Sequence, residues 1–146
     1  MMSNSRIAPA IVVPVINMNF GGWQKTSLLD YPDKIATVLF TSGCPFRCAY
    51  SHHPDLASPP FKGQVDEDET LEYLKKRTDL IEGVVISGGE PAVHKDLLPF
   101  IHKVKHLRYA IKLDTCGFSL KELNSYSQLL ITLPWISKLH FPYTQA

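Results

Sequence analysis

Cysteine is scarce in this chain: three residues in 146, an odd number. That count argues against a disulfide framework and for a reducing compartment. An excess of one charge sign is also missing, the formal net charge being +1. Nothing in that balance points to a surface that holds nucleic acid or membrane by charge alone. No apolar run reaches the roughly 18 residues needed to span a bilayer. The apolar opening IAPAIVVPVI is broken by Pro9 and Pro14, and it lacks a basic leader and a clear cleavage site. These absences lead to the expectation of a cytoplasmic protein, with an irregular N-terminal extension over residues 1–19 and one domain over residues 20–146. The apolar share of 45% is ordinary, and the length is enough to bury a core.

What is present is an alternation of strand and helix signals. KIATVLFT, from Lys34 to Thr41, is a β-rich apolar run that stops at Ser42 and Gly43. DEDETLEYLKKR carries acids early and bases late, as a helix dipole prefers. GVVIS, from Gly83 to Ser87, predicts a second strand, ended by Gly88, Gly89 and Pro91. KDLLPFIHKVKHL has helical period, with Pro99 near its first turns counting against it. YAIKLDT, from Tyr109 to Thr115, predicts a third strand. SLKELNSYSQLL opens with Ser119 and has Glu122 three residues later, a capping-box pattern. WISKLHF fits a fourth strand near the C-terminus.

Strand then helix, repeating about every 25 residues, predicts an α/β fold with a parallel sheet. Such sheets carry ligand chemistry where the chain leaves the carboxyl ends of the strands. The unusual residues all fall at those exits: SGCPFRCAYSHH after the first strand, SGGEP after the second and DTCG after the third. Each exit also has an ordinary reading. Gly88 and Gly89 suit a tight turn, or else a backbone that approaches a ligand closely. Glu90 beside them suits an acceptor for a cationic group such as an ammonium. Asp114 suits a turn cap. Cys44 and Cys48 are either small buried hydrophobes or metal-binding thiols, and their glycine- and proline-flanked loop favours metal.

Taken together, QKTSLLDYPDKIATVLFTSGCPFRCAYSHHPDL, VVISGGEP and KLDTCG resemble the radical S-adenosylmethionine superfamily. The resemblance is greatest to the branch of anaerobic ribonucleoside-triphosphate reductase activating proteins, related to the glycyl-radical enzyme activases. It runs from about Gly22 to Gly117. It implies a partial parallel (βα) barrel, of about six units in the family. It implies a [4Fe–4S] cluster held by a C-x3-C-x2-C loop, with one iron open to S-adenosylmethionine. Cys44 and Cys48 match the first two cluster cysteines, and Tyr50 matches an aromatic residue near the adenine. Gly88, Gly89, Glu90 and Pro91 match the motif that receives the methionine amino group. Asp114 and Thr115 match a strand-end stretch near the cofactor.

The activity implied is reductive cleavage of S-adenosylmethionine, with a hydrogen atom then taken from a glycine of a partner glycyl-radical enzyme, such as anaerobic ribonucleotide reductase. A flavodoxin or ferredoxin is the implied electron donor, and neither nucleic acid nor membrane is expected as a partner.

Two departures stand against this. Ser51 occupies the third cysteine position, and a hydroxyl is a harder, less readily deprotonated ligand than a thiol. Cys116, His52 or His53 could substitute, Ser51 could ligate by oxygen, or the cluster is weakened or lost. The chain also supplies four units at best, so an incomplete barrel truncated at its C-terminus, or an open half-barrel, is expected. The alternatives are a non-catalytic radical-SAM-fold binding protein and a zinc module built on Cys44, Cys48, His52 and His53. His94, His102, His106 and His140 are expected to be surface or core residues, since no spacing groups them with the loop.

Overall fold

The computed structural model describes residues 18–44, 56 and 65–115. Within them lies one five-stranded sheet with helices against it. In chain order the elements are β1 (Asn19–Ser27), β2 (Ala36–Thr41), β3 (Val65–Asp66), α1 (Glu67–Lys75), β4 (Gly83–Gly88), a one-turn 3-10 helix (Pro91–Val93), α2 (Leu97–His106) and β5 (Ala110–Leu113). The sheet order is β3-β1-β2-β4-β5.

The strands β2, β4 and β5 run parallel, joined by α1 and α2 in the expected strand–helix–strand rhythm. The first predicted strand is β2, the second β4 and the third β5. Two strands not expected from the sequence, β1 and β3, pair antiparallel and make the sheet mixed rather than all parallel. β1 does not alternate between apolar and polar, and two adjacent glycines, Gly21 and Gly22, weaken its strand signal. Residues 1–17 of the expected extension, the SLKELNSYSQLL helix and the WISKLHF strand lie outside the described residues. Met18 is already core, with 2% of its surface exposed.

β2 and β4 are buried on both faces, as central parallel strands require. On one face, Phe20, Leu39, Val84, Ile86, Ile111 and Leu113 pack against Leu74 of α1 and Leu97, Phe100, Ile101 and Val104 of α2. Phe20 and Phe100 meet edge to face with ring centroids 5.1 Å apart. On the other face, Ala36, Val38, Val85 and Ala110 pack under Tyr31. Pro99 does not break α2, because it sits in the first turn, where its missing N–H has no intrahelical partner to lose.

Buried Glu67 ties three elements together. Its carboxylate pairs with Lys103 of α2 and accepts from the Met18 backbone N–H at 2.7 Å, just before β1. Among the described residues no helix is long and apolar enough to cross a membrane.

The parallel register sets up the site. Thr41 lies opposite Gly88, and Ile86 lies opposite Leu113. β2 and β4 therefore finish level and β5 two residues earlier, so that Asp114 and Thr115 continue alongside the end of β4 and the three exits share one rim.

Candidate functional site

The first exit is Thr41, Ser42, Gly43 and Cys44. Three successive carbonyls there are all answered by the second exit. Gly89 N–H donates to Thr41 O at 2.9 Å, and Glu90 N–H donates to Gly43 O at 2.9 Å. Between them, His94 Nε2 lies 2.9 Å from Ser42 O. A carbonyl only accepts, so this nitrogen carries the proton. Gly43 N–H donates in turn to Leu56 O at 2.6 Å, so the chain leaving at Cys44 returns to the same spot twelve residues later.

Two glycines of the second exit are there for sterics. Gly88 has φ +104°, and a Cβ on it would lie 2.5 Å from Thr41 N. A Cβ on Gly89 would lie 2.1 Å from Gly43 O. The close approach these glycines permit is therefore backbone against backbone, between the first two loops. Among the described residues, nothing lies within 4 Å of where a Cβ on Gly43 itself would sit.

Glu90 is 1% exposed and joins the second exit to the third. Its Oε1 accepts from Ala92 N–H at 2.9 Å, capping the 3-10 turn. The Thr115 hydroxyl donates to the same oxygen. Pro91 fits the first position of that turn, where no N–H is needed. Asp114 continues the ladder, its N–H donating to Ile86 O at 2.9 Å. The turn cap expected of the Asp114 side chain is not what is seen; Oδ1 lies 3.0 Å from Lys112 Nζ. That pair is close but poorly aligned, since Oδ1 is shut off from solvent without a well-directed hydrogen bond. The same ammonium donates to Asp30 O at 2.7 Å.

The fold thus brings Cys44, Gly88, Gly89, Glu90, Pro91, Asp114 and Thr115 to one rim. Cys48, Tyr50 and Ser51 lie outside the described residues, as do Cys116, His52 and His53. Among the described residues no group of three or more His, Cys, Asp or Glu could hold a metal ion. His94 is a correction: spacing along the chain suggests surface or core, and the fold puts it in the rim. The available signal is its position four residues after Glu90, still inside the second exit.

As a donor set, the first loop offers two thiols and one hydroxyl, which suits iron–sulfur ligation at two positions and fits it poorly at the third. Among the described residues, the rim holds a buried carboxylate in a capped turn, Glu90, and a half-buried thiol, Cys44, at neighbouring strand exits.

The model of the Radical SAM superfamily matches residues 38–134. A Methanocaldococcus jannaschii protein named as a glycyl-radical enzyme activating enzyme is 32% identical over 94 residues, which are 62% of this chain and 37% of that relative. Pyruvate formate-lyase-activating enzyme of Staphylococcus aureus is 39% identical over 72 residues, 46% of this chain and 28% of the relative. The chain therefore spans well under half of these curated relatives. The crystal structure of QueE from Escherichia coli superposes with a TM-score of 0.57 at 19% identity, covering 69% of this chain and 53% of that one, a likeness of fold.

Proposed function

The chain belongs to the radical SAM superfamily, and on that footing we propose that it binds S-adenosylmethionine across the three strand exits and acts in glycyl-radical enzyme activation. The observation that carries the reading is Glu90. It sits buried at the middle of the rim, hydrogen-bonded to its own turn and to Thr115 of the neighbouring exit. A carboxylate so held is pre-oriented, and recognition of an ammonium through charge-assisted hydrogen bonds needs that orientation. Gly88 and Gly89 let the first exit close onto the second, which joins the stretch leading to Cys44 to the turn that holds Glu90. Asp114 and Thr115 bound the third side, where the ribose would lie, and Tyr50 is assigned to the adenine.

Cys44 and Cys48 are the residues that would hold a [4Fe–4S] cluster, with Ser51 at the third ligand position. Bound there, such a cluster supplies one electron to the sulfonium of the cofactor. The protein's own part is to fix thiolate and carboxylate on one rim and to exclude water around them. The partner would be a glycyl-radical enzyme, anaerobic ribonucleotide reductase being one candidate, with a flavodoxin or ferredoxin as donor and the cytoplasm as compartment.

Ser51 favours a second reading, in which the same pocket binds S-adenosylmethionine without cleaving it. Anaerobic reconstitution with iron and sulfide separates the two. The activase reading expects Ser51→Cys to raise iron per chain toward four and, once dithionite is added as the electron source, to give methionine and 5′-deoxyadenosine from the cofactor (four being the cluster's iron number). Cofactor binding without iron in either chain favours the non-catalytic reading. Stoichiometric zinc in place of iron would overturn both.

A further inference from the structure

Of the three carbonyls by which the second exit grips the first, two are held by backbone N–H groups and one by a side chain. Backbone donors at Gly89 and Glu90 are available to any sequence that follows this path. The donor to Ser42 O is available only because residue 94 carries a side-chain N–H, that of its imidazole. Ser42 lies two residues before Cys44, at the point where the β2–β4 ladder has ended at Thr41 and Gly88. Past that point the regular sheet no longer dictates where the chain goes.

From this we infer that His94 is a positioning residue for the Cys44 thiol. Its imidazole closes the middle of the clamp, fixing the direction in which the chain enters the thiol-bearing loop. The residue is well placed for the task. It caps the 3-10 turn that Glu90 opens, its backbone N–H donates to Pro91 O at 3.1 Å, and Leu97 N–H donates to its carbonyl at 3.2 Å. His94 is therefore braced from both sides by backbone, half-buried, with its Nε2–H delivered to one acceptor. Through it, the turn that holds the Glu90 carboxylate and the turn that holds the Cys44 thiol become one rigid unit. The assignment rests on reading Cys44 as a functional thiol; its test does not.

The test is the alkylation rate of Cys44 in the iron-free full chain. Trypsin cleaves after Lys34 and Arg47, so Cys44 is alone in peptide 35–47, while Cys48 falls in 48–62 and Cys116 in 113–121. Each thiol can then be timed separately with N-ethylmaleimide by mass spectrometry. His94→Leu keeps the bulk and removes the donor. It should speed alkylation of Cys44 about five-fold, the scale of one lost hydrogen bond, with Cys116 unchanged. His94→Gln, whose amide N–H can reach the same acceptor, should restore the rate to within about two-fold of the parent.

An unchanged Cys44 rate in His94→Leu overturns the inference. So does a His94→Gln chain as fast as His94→Leu, which would make the ring a space-filler. So does a parallel rise at all three thiols, which would mean that His94 supports the whole fold rather than this turn. Because the measurement needs neither iron nor S-adenosylmethionine, a chain that takes up no iron still tests the role of His94.

Discussion

Replacing Gly89 with alanine probes the contact on which the rim depends. The added Cβ would lie 2.1 Å from Gly43 O and 2.8 Å from Gly43 C, where real Cβ contacts are essentially never under 3.0 Å. The obstacle is backbone, so no side-chain rotation relieves it. The second exit has to retreat by the difference, 3.0 − 2.1, or about 0.9 Å. That shift stretches the Glu90 N–H bond to Gly43 O from 2.9 Å toward the limit of hydrogen bonding. It also loosens the 2.9 Å bond from Gly89 N–H to Thr41 O. One or two weakened hydrogen bonds, with their groups left partly desolvated, amount to about 2–3 kcal/mol.

The matched control is Gly22→Ala on β1, where the nearest atom to the new Cβ would be Phe40 Cδ2 at an ordinary 3.5 Å. Its cost should stay within about 1 kcal/mol of the parent. Urea unfolding followed by circular dichroism gives both values from the same baseline. If Gly89→Ala proves as stable as Gly22→Ala, the first two loops do not meet as described, and the glycine's role must lie elsewhere.

Thr115→Val keeps the shape of the side chain and removes the hydroxyl that donates to Glu90. It should cost about 1.5–3 kcal/mol in urea unfolding, the range for a hydrogen bond to a charged group, and it should weaken S-adenosylmethionine binding measured by calorimetry. Tyr109 gives a pH prediction. Burial first, then the nearby Tyr73 and Asp79, raises its phenol above the ordinary 10.0, while its hydroxyl donates to Leu74 O at 2.7 Å. The unfolded chain ionises first, so this contribution is complete below pH 10.0 and is lost as pH rises through the folded value. Thermal midpoints should therefore fall more steeply above that pH in the parent than in Tyr109→Phe.

The parallel half of the fold is readable because burial on both faces leaves short, continuous apolar runs. ATVLFT and GVVISG are such runs, each ended by glycine or a small polar residue. Pro99 counts against α2 only while the helix start is unknown; with Leu97 as the first residue, it falls where proline is harmless. β1 is hidden for the opposite reason. Its burial is greatest near Phe20 and Gly21 and does not alternate along the strand, and antiparallel pairing with β2 leaves no local signature.

At the site, the residues are legible but their partners are not. Gly88, Gly89 and Glu90 stand out as an exit motif, yet the letters do not say that Gly89 faces Gly43 or that Glu90 meets Thr115 across 25 residues of chain. His94 escapes notice because it acts through one ring nitrogen on a backbone carbonyl 52 residues away, a contact that leaves no spacing rule. Lys112 is likewise invisible until β5 brings it beside Asp114 and Asp30.

Backbone amide shifts on titration with S-adenosylmethionine test the shared rim most directly. The account predicts that Gly43, Cys44, Gly88, Gly89, Glu90, Ala92, Asp114 and Thr115 move together and saturate along one binding curve. Leu29 and Leu80, exposed residues away from the strand exits, should stay still. Shifts centred on Leu29 and Leu80, or different curves for the three exits, would contradict it.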